Sequence, residues 1–363
     1  MTKILISGYL GFDNSGDESI LQAISTSIKE SELPIEITAL SSNPRKTAKN
    51  HQINSLHSFN PFSVLKGILR SDIIISGGGN LLQDKTSSKS LWYYIFIIFL
   101  GKVFRKKVML YSNGVGPLDK KINKKIVKKV INKVDVITLR EKLSKEMLID
   151  IGVTNPPIHI TADPVFLLKP SEEARIKKIL EQEGIQNNKK NIGISVRKWG
   201  NENQVKEFAG FCDDIVKNNN MNIVFIPMQY PQDLIVSEQI LENMKEKAKI
   251  ISKHYSSNDQ IGIIKEMDII LSMRLHTLIY AGIVSVPMVG IVYDPKIEYY
   301  LNQVGMPSIK HIENLSYEEI KSHIINIYND YEINKKQLGI NSKVLKRKAK
   351  TNNDYLFNLI KSN

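Results

Sequence analysis

Residues 268–294 read DIILSMRLHTLIYAGIVSVPMVGIVYD. The run 269–271 is short and continuously apolar, the pattern of a strand buried on both faces of a parallel sheet. The alanine-containing apolar run after His276 reads as a helix, and 288–292 reads as the next strand. Arg274 and His276 fall at the switch from strand to helix. A cation and an imidazole are costly in so apolar a stretch unless they have partners. The carboxyl end of a parallel strand, feeding a helix N-terminus, is where open α/β sheets bind anions.

The same alternation extends outward to both ends of the chain. Near-continuous apolar runs at 4–7, 35–40, 73–76, 108–112, 134–139 and 159–162 predict strands in the first half. Helical patterns lie between them, as at 17–30 and 121–133. The second half repeats the scheme at 192–196, 223–227, 250–254, 269–271 and 288–292, with helices such as 203–218 and 233–247. Two rounds of βαβα predict an α/β protein of two Rossmann-like doubly wound domains, which we expect to face each other across a cleft. The polar stretch Leu168-Lys169-Pro170-Ser171 marks the expected break. The expected organisation is an N-terminal domain over 1–169, a C-terminal domain over 170–330, and a charged helical tail over 331–363.

At 363 residues, two cores are the natural reading. The hydrophobic content of 42% and charged content of 24% describe a globular chain, neither disordered nor membrane-embedded. The single cysteine, Cys212, excludes an internal disulfide and a multi-cysteine zinc site, and FAGFCDDIV around it reads as core. One cysteine and no signal peptide predict a cytoplasmic protein. The net charge of +13 fits an acidic substrate or an anionic membrane surface as well as a lysine-rich composition. No basic helix with interleaved aromatics suggests nucleic acid. The run LWYYIFIIFL at 91–100 is too short to span a bilayer. With Lys102, Arg105, Lys106 and Lys107 behind it, it reads either as a buried helix or as a membrane-docking face at the inner side of the plasma membrane.

Three predicted strand ends in the first half carry glycines: Gly8 to Gly16, Gly77-Gly78-Gly79-Asn80, and Asn113-Gly114-Val115-Gly116. Three in one domain exceed what tight turns require and suggest backbone lining a ligand site. Gly11, Asn14, Asp17, Glu18, Gly78, Gly79, Asn80, Asp84 and Asn113 are the candidates for binding sugar hydroxyls, with Gln83, Thr86, Ser87 and Ser88 adding polar groups. Asn14, Asp17 and Glu18 also suit a plain helix N-terminus. Arg140, Arg197, Arg274 and Lys296 each follow a predicted strand end. A surface salt bridge would explain any one of them; four together imply a small, highly charged anion. The seven histidines show no metal-ligand spacing, and there is no nucleophile elbow of serine hydrolases.

The motifs GYLGFDNSGDE (8–18), GGGNLLQDKTS (77–87), SNGVGP (112–117), TADPVF (161–166), SVRKW (195–199), SMRLH (272–276) and YDPK (293–296) resemble the polysaccharide pyruvyl transferase family, its CsaB-type members most of all. The resemblance covers roughly residues 3–305. It implies a GT-B-like arrangement of the two domains. It also implies transfer of pyruvate from phosphoenolpyruvate, a co-substrate with no further cofactor, to a sugar as a ketal. In CsaB-type proteins the acceptor is N-acetylmannosamine of a lipid-linked secondary cell-wall polysaccharide precursor, bridged at its 4- and 6-hydroxyls, and the product helps anchor surface-layer proteins. Arg140, Arg274, His276 and Lys296 match residues associated with phosphoenolpyruvate, and Arg197 stands beside them in the strand-end set. His276 and Arg274 are the catalytic candidates, for proton delivery and phosphate stabilisation. The rival readings are a GT-B glycosyltransferase using a nucleotide sugar and a non-catalytic protein binding acidic envelope polymers.

Overall fold

The computed structural model describes residues 1–85, 87–185, 189–310, 312 and 315–362. The chain divides into two compact units. The first holds Met1–Leu167 and Leu345–Asn363, the second Leu168–Val344.

The first unit runs β1 (Thr2–Ser7), α1 (Ser15–Glu30), β2 (Ile35–Ser41), α2 (Pro44–His51), β3 (Asn54–His57), α3 (Pro61–Arg70) and β4 (Ile73–Gly77). It continues through α4 (Ser88–Val103), β5 (Lys107–Asn113), α5 (Lys121–Ile131), β6 (Val136–Leu139), α6 (Lys142–Asp150) and β7 (Ile158–Ile160), ending in a 3-10 turn at Pro164–Leu167. Its seven strands pair in parallel in the order β3-β2-β1-β4-β5-β6-β7. The centre is apolar because helices cover both faces. Ile4, Leu5 and Ile6 of β1 are inaccessible, as are Ile73, Ile74 and Ile75 of β4. Each such side chain contributes about 1.5–3 kcal/mol on burial. The edge strand β3, Asn54-Ser55-Leu56-His57, has too little apolar character to announce itself in the sequence.

The second unit runs α7 (Glu173–Gln182), β8 (Lys190–Ser195), α8 (Glu202–Asn219), β9 (Met221–Phe225), α9 (Gln232–Asn243), β10 (Lys249–Ile250) and α10 (Ser257–Lys265). Then come β11 (Ile269–Ser272), α11 (Leu275–Val284), β12 (Met288–Ile291), α12 (Pro295–Val304), β13 (Ser308–Ile309) and α13 (Tyr317–Asn329). Its six strands are parallel in the order β10-β9-β8-β11-β12-β13. Cys212 is buried under this sheet, and burial pushes its thiol pKa well up, so it is a packing residue.

The charged tail expected at 331–363 is one helix, α14 (Tyr331–Lys361). It is not a separate body: residues to Val344 cluster with the second unit and those from Leu345 with the first. Asn352 explains the latter assignment. It is fully buried, accepts from Thr161 Oγ1 at 2.8 Å, and donates to the Ala162 carbonyl at 3.0 Å.

Candidate functional site

In each sheet the strand order reverses once, between β1 and β4 in the first unit and between β8 and β11 in the second. Such switch points, at the carboxyl ends of the strands, are where doubly wound sheets leave room for a ligand.

In the second unit Ser195 of β8 is in register with Ser272 of β11, and Arg197 and Arg274 each stand two residues further on. Arg274 is the N-cap of α11, in extended conformation. Its N–H donates to Ser272 Oγ at 2.8 Å, and that hydroxyl donates back to the Arg274 carbonyl at 3.0 Å. The guanidinium is clamped: Nε donates to Asp233 Oδ2 at 2.9 Å, and Nη2 donates to Asp233 Oδ1 and to Gln229 Oε1 at 3.1 Å. Asp233 is inaccessible and also accepts the N–H groups of Met228 and Gln229. A charge-assisted fork of this kind fixes both distance and plane.

His276 lies in the first turn of α11, which carries no acidic residue to offset its partial positive charge. Lys296 lies in the first turn of α12, where Asp294 caps the helix through the Lys296 N–H at 3.1 Å and pairs with Nζ at 3.0 Å. Arg197 rests on the Tyr293 ring, 4.3 Å from its centroid. The buried hydroxyls of Ser195 and Thr277 have no hydrogen-bond partner among the described residues.

In the first unit the loops after β1, β4, β5 and β6 meet. A shift in register between Leu110 and Asn113 bends β5 at Ser112, whose φ is +52°. That strain is held by two hydrogen bonds that Ser112 donates, from its N–H to Thr138 Oγ1 and from its hydroxyl to the Ala162 carbonyl, and it turns Asn113 inward at the strand end. Arg140 is buried and pairs with Asp163 at 2.7 Å through Nη1. Burial works against its charge, but the carboxylates of Asp163 and Glu141 outweigh it and hold its pKa above the ordinary value. A Cβ on Gly114 would lie 3.2 Å from Glu141 Oε1, 3.3 Å from Asn80 Oδ1 and 3.4 Å from Arg140 Nε. These three polar groups therefore converge on one bare backbone position. Gly79, at φ +74°, would carry a Cβ 3.0 Å from Asp17 Oδ1. Four buried polar atoms at this edge lack partners among the described residues: Ser7 Oγ, Asn80 Oδ1, Asn113 Oδ1 and Arg140 Nε.

The sequence-predicted residues thus divide. Asp17, Gly79, Asn80, Asn113 and Arg140 gather at the first edge; Arg197, Arg274, His276 and Lys296 gather at the second. Several of the others are spent on the scaffold. Asn14 caps α1. Glu18 accepts from the Gly11 N–H at 2.8 Å and contacts His51 Nε2 at 2.9 Å, using both oxygens. Asp84 is buried and accepts from the N–H groups of Asp119 and Lys120 and from Asn123 Nδ2. Gly78 donates its N–H to the Tyr111 carbonyl. Ser87 caps α4, and Thr86 lies outside the described residues. The reading of four strand-end cations also needs correcting for charge: Arg140, Arg274 and Lys296 each have a carboxylate partner, and Arg197 alone of the four sits on an aromatic face.

Sequence reasoning passed over Asp163, Asp233 and Glu141, and took Gly114 only as one glycine of a strand end. Asp163 and Gly114 sat inside quoted motifs, TADPVF and SNGVGP. Asp233 looks like an ordinary first-turn acid, and only the fold brings it to Arg274, 41 positions away.

A model of the polysaccharide pyruvyl transferase family matches residues 14–295. The chain belongs to the polysaccharide pyruvyl transferase family. The matched span opens at Asn14, the cap of α1, and closes at Pro295, the first residue of α12, so it takes in most of both sheet edges of this pyruvyl transferase and leaves Ser7 and Lys296 just outside. Family membership makes it an enzyme of pyruvyl transfer to polysaccharide. No curated protein matches it in sequence. Its fold is similar to that of Anabaena HepE in complex with UDP-glucose, at TM-score 0.67 and 13% identity over 100% of both chains. It is also similar to the Neisseria meningitidis UDP-GlcNAc 2-epimerase bound to UDP-GlcNAc, at TM-score 0.67 and 14% identity over 98% of this chain and 100% of that one. A glycosyltransferase from Rickettsia africae matches at TM-score 0.66 and 12% identity over 100% and 99%. At such identities the likeness is one of fold.

Proposed function

We propose that this pyruvyl transferase uses phosphoenolpyruvate as donor and forms a 4,6-ketal on N-acetylmannosamine of a cell-wall polysaccharide precursor. The observation that carries the reading is the concentration, at the two strand edges, of buried polar atoms with no partner among the described residues: Ser7 Oγ, Asn80 Oδ1, Asn113 Oδ1, Arg140 Nε, Ser195 Oγ and Thr277 Oγ1. Such atoms are rare in folded proteins and cost free energy unless water or a ligand meets them.

The second edge suits the donor. Phosphoenolpyruvate is a small multiple anion; Arg197 and the first turn of α11 offer it positive charge, and Arg274, though neutralised by Asp233, keeps its Nη1 N–H groups to donate. The first edge suits sugar hydroxyls: Asn80 Oδ1 and Asn113 Oδ1 accept, and Arg140 Nε donates. The chemistry needs a proton delivered to the methylene carbon of phosphoenolpyruvate while one sugar hydroxyl adds to the neighbouring carbon and loses its own proton. The second hydroxyl then attacks that carbon, phosphate leaves with the C–O bond electrons and takes up the proton that hydroxyl gives up, and the ketal closes. His276 is the proposed proton donor and Arg274 the group that stabilises the departing phosphate.

A nucleotide sugar is the second reading, favoured by the UDP-sugar complexes of HepE and the epimerase. Thermal protection separates the two. Phosphoenolpyruvate should raise the melting temperature, and Arg197→Ala should abolish the shift. Protection by UDP-sugars and none by phosphoenolpyruvate would favour the second reading.

A further inference from the structure

In the first unit α3 packs beside α4, and α4 beside α5. Their inner faces join the core through residues such as Ile68, Ile95 and Val127. The outer face of α4 is apolar as well. Trp92, Phe96, Phe99 and Val103 recur at helical spacing and are 48%, 55%, 43% and 54% exposed. The run at 91–100 is therefore half core and half surface. On α3, Phe62, Leu65 and Leu69 form a second exposed stripe. The aromatic rings alone expose on the order of 400 Å², as large as the largest patch of an ordinary monomer.

The charge carried by these three helices has one sign. None of α3, α4 and α5 contains an Asp or Glu. Exposed cations stand on or next to the same helices: Lys66 and Arg70 on α3, Lys89 on α4, Arg105 after it, and Lys125 and Lys129 on α5. No helix among the described residues is long and apolar enough to cross a membrane.

We propose that the α3–α4 face is a docking surface for an anionic lipid bilayer. Apolar side chains enter the headgroup boundary and the cations meet lipid phosphates, the division of labour of an interfacial helix. A second copy of the chain fits less well, because a self-complementary contact would set one cationic rim against another. The apolar surface also continues toward the loop after β1. Phe59 lies 6.1 Å from the Tyr93 ring and 6.2 Å from Phe12, which stacks on Tyr9 at 4.1 Å. That continuity would present a lipid-linked acceptor to the first edge, a point that rests on the acceptor reading; the docking itself does not.

The test is flotation of the full-length protein, without substrates, on phosphatidylcholine vesicles with and without about one-third phosphatidylglycerol. Binding should require the anionic lipid and fall with salt. Phe96→Gln/Phe99→Gln should weaken it at least about tenfold, and Lys125→Gln/Lys129→Gln about tenfold. Both variants should keep the parent melting temperature and the parent rate with a water-soluble acceptor. Absence of binding to anionic vesicles, or binding untouched by the phenylalanine changes, overturns the proposal. So does a concentration-dependent dimer in sedimentation that those changes dissolve, which would assign the face to a second copy. Because flotation uses no substrate, failure here leaves the pyruvyl-transfer reading intact, and the reverse.

Discussion

Arg274 is held by a carboxylate that solvent does not reach, and this decides how it must be tested. Removing it leaves Asp233 charged, inaccessible and short of two donors, a loss on the order of 3–5 kcal/mol in stability. Arg274→Ala should therefore melt early and also release phosphate about 100-fold more slowly. Arg274→Ala/Asp233→Ala should recover much of the melting temperature and none of the rate. Recovery of both would make the pair a structural ion pair and nothing more. Gly114→Ala makes a complementary test at the other edge. Its methyl would press on Asn80, Glu141 and Arg140 at once, and we expect KM for the sugar to rise about tenfold or more with KM for phosphoenolpyruvate unchanged. An unchanged sugar KM would take this cluster out of the acceptor site.

At the scale of elements, Asp84 ties the loop after β4 to the N-terminus of α5. Burial raises its pKa, but the N–H groups of Asp119 and Lys120 and the amide of Asn123 outweigh that, and the net shift is downward. A depressed carboxylate stabilises the fold above its unfolded pKa and loses that contribution as pH falls through its folded value. The stability advantage of the parent over Asp84→Asn should thus be full at neutral pH and shrink below about pH 4, read from urea midpoints across pH. An advantage that grew with acid would contradict the assignment.

The central strands were legible because burial on both faces leaves an unbroken apolar run, as in β1, β4 and β11. β3 and β13 were not, since edge strands need no such run. The site was half legible. Glycines and cations at strand ends mark the two candidate edges, but whether a carboxylate such as Asp84 or Glu18 faces that edge or a backbone N–H depends on segments distant in sequence. The bend at Ser112 leaves no mark in composition.

For the whole molecule, the C-terminal helix is part of the fold. Deleting residues 345–363 strips Leu356, Ala349 and Asn352 from the first unit and leaves the Thr161 hydroxyl with the longer bond, 3.3 Å, to the Leu139 carbonyl. We expect a drop of several degrees in the first unit's melting transition, or failure to accumulate as folded protein; an unchanged transition would show the helix to be dispensable. The enzyme's central claim is narrower, and one measurement meets it. Incubate the purified full-length protein with phosphoenolpyruvate and a lipid-linked or soluble disaccharide carrying N-acetylmannosamine, and follow phosphate by phosphorus NMR and the sugar by mass spectrometry. The account predicts phosphate release that depends on the sugar, with one pyruvate ketal gained for each phosphate formed. Sugar transfer from a UDP-sugar, with phosphoenolpyruvate left intact, would contradict it.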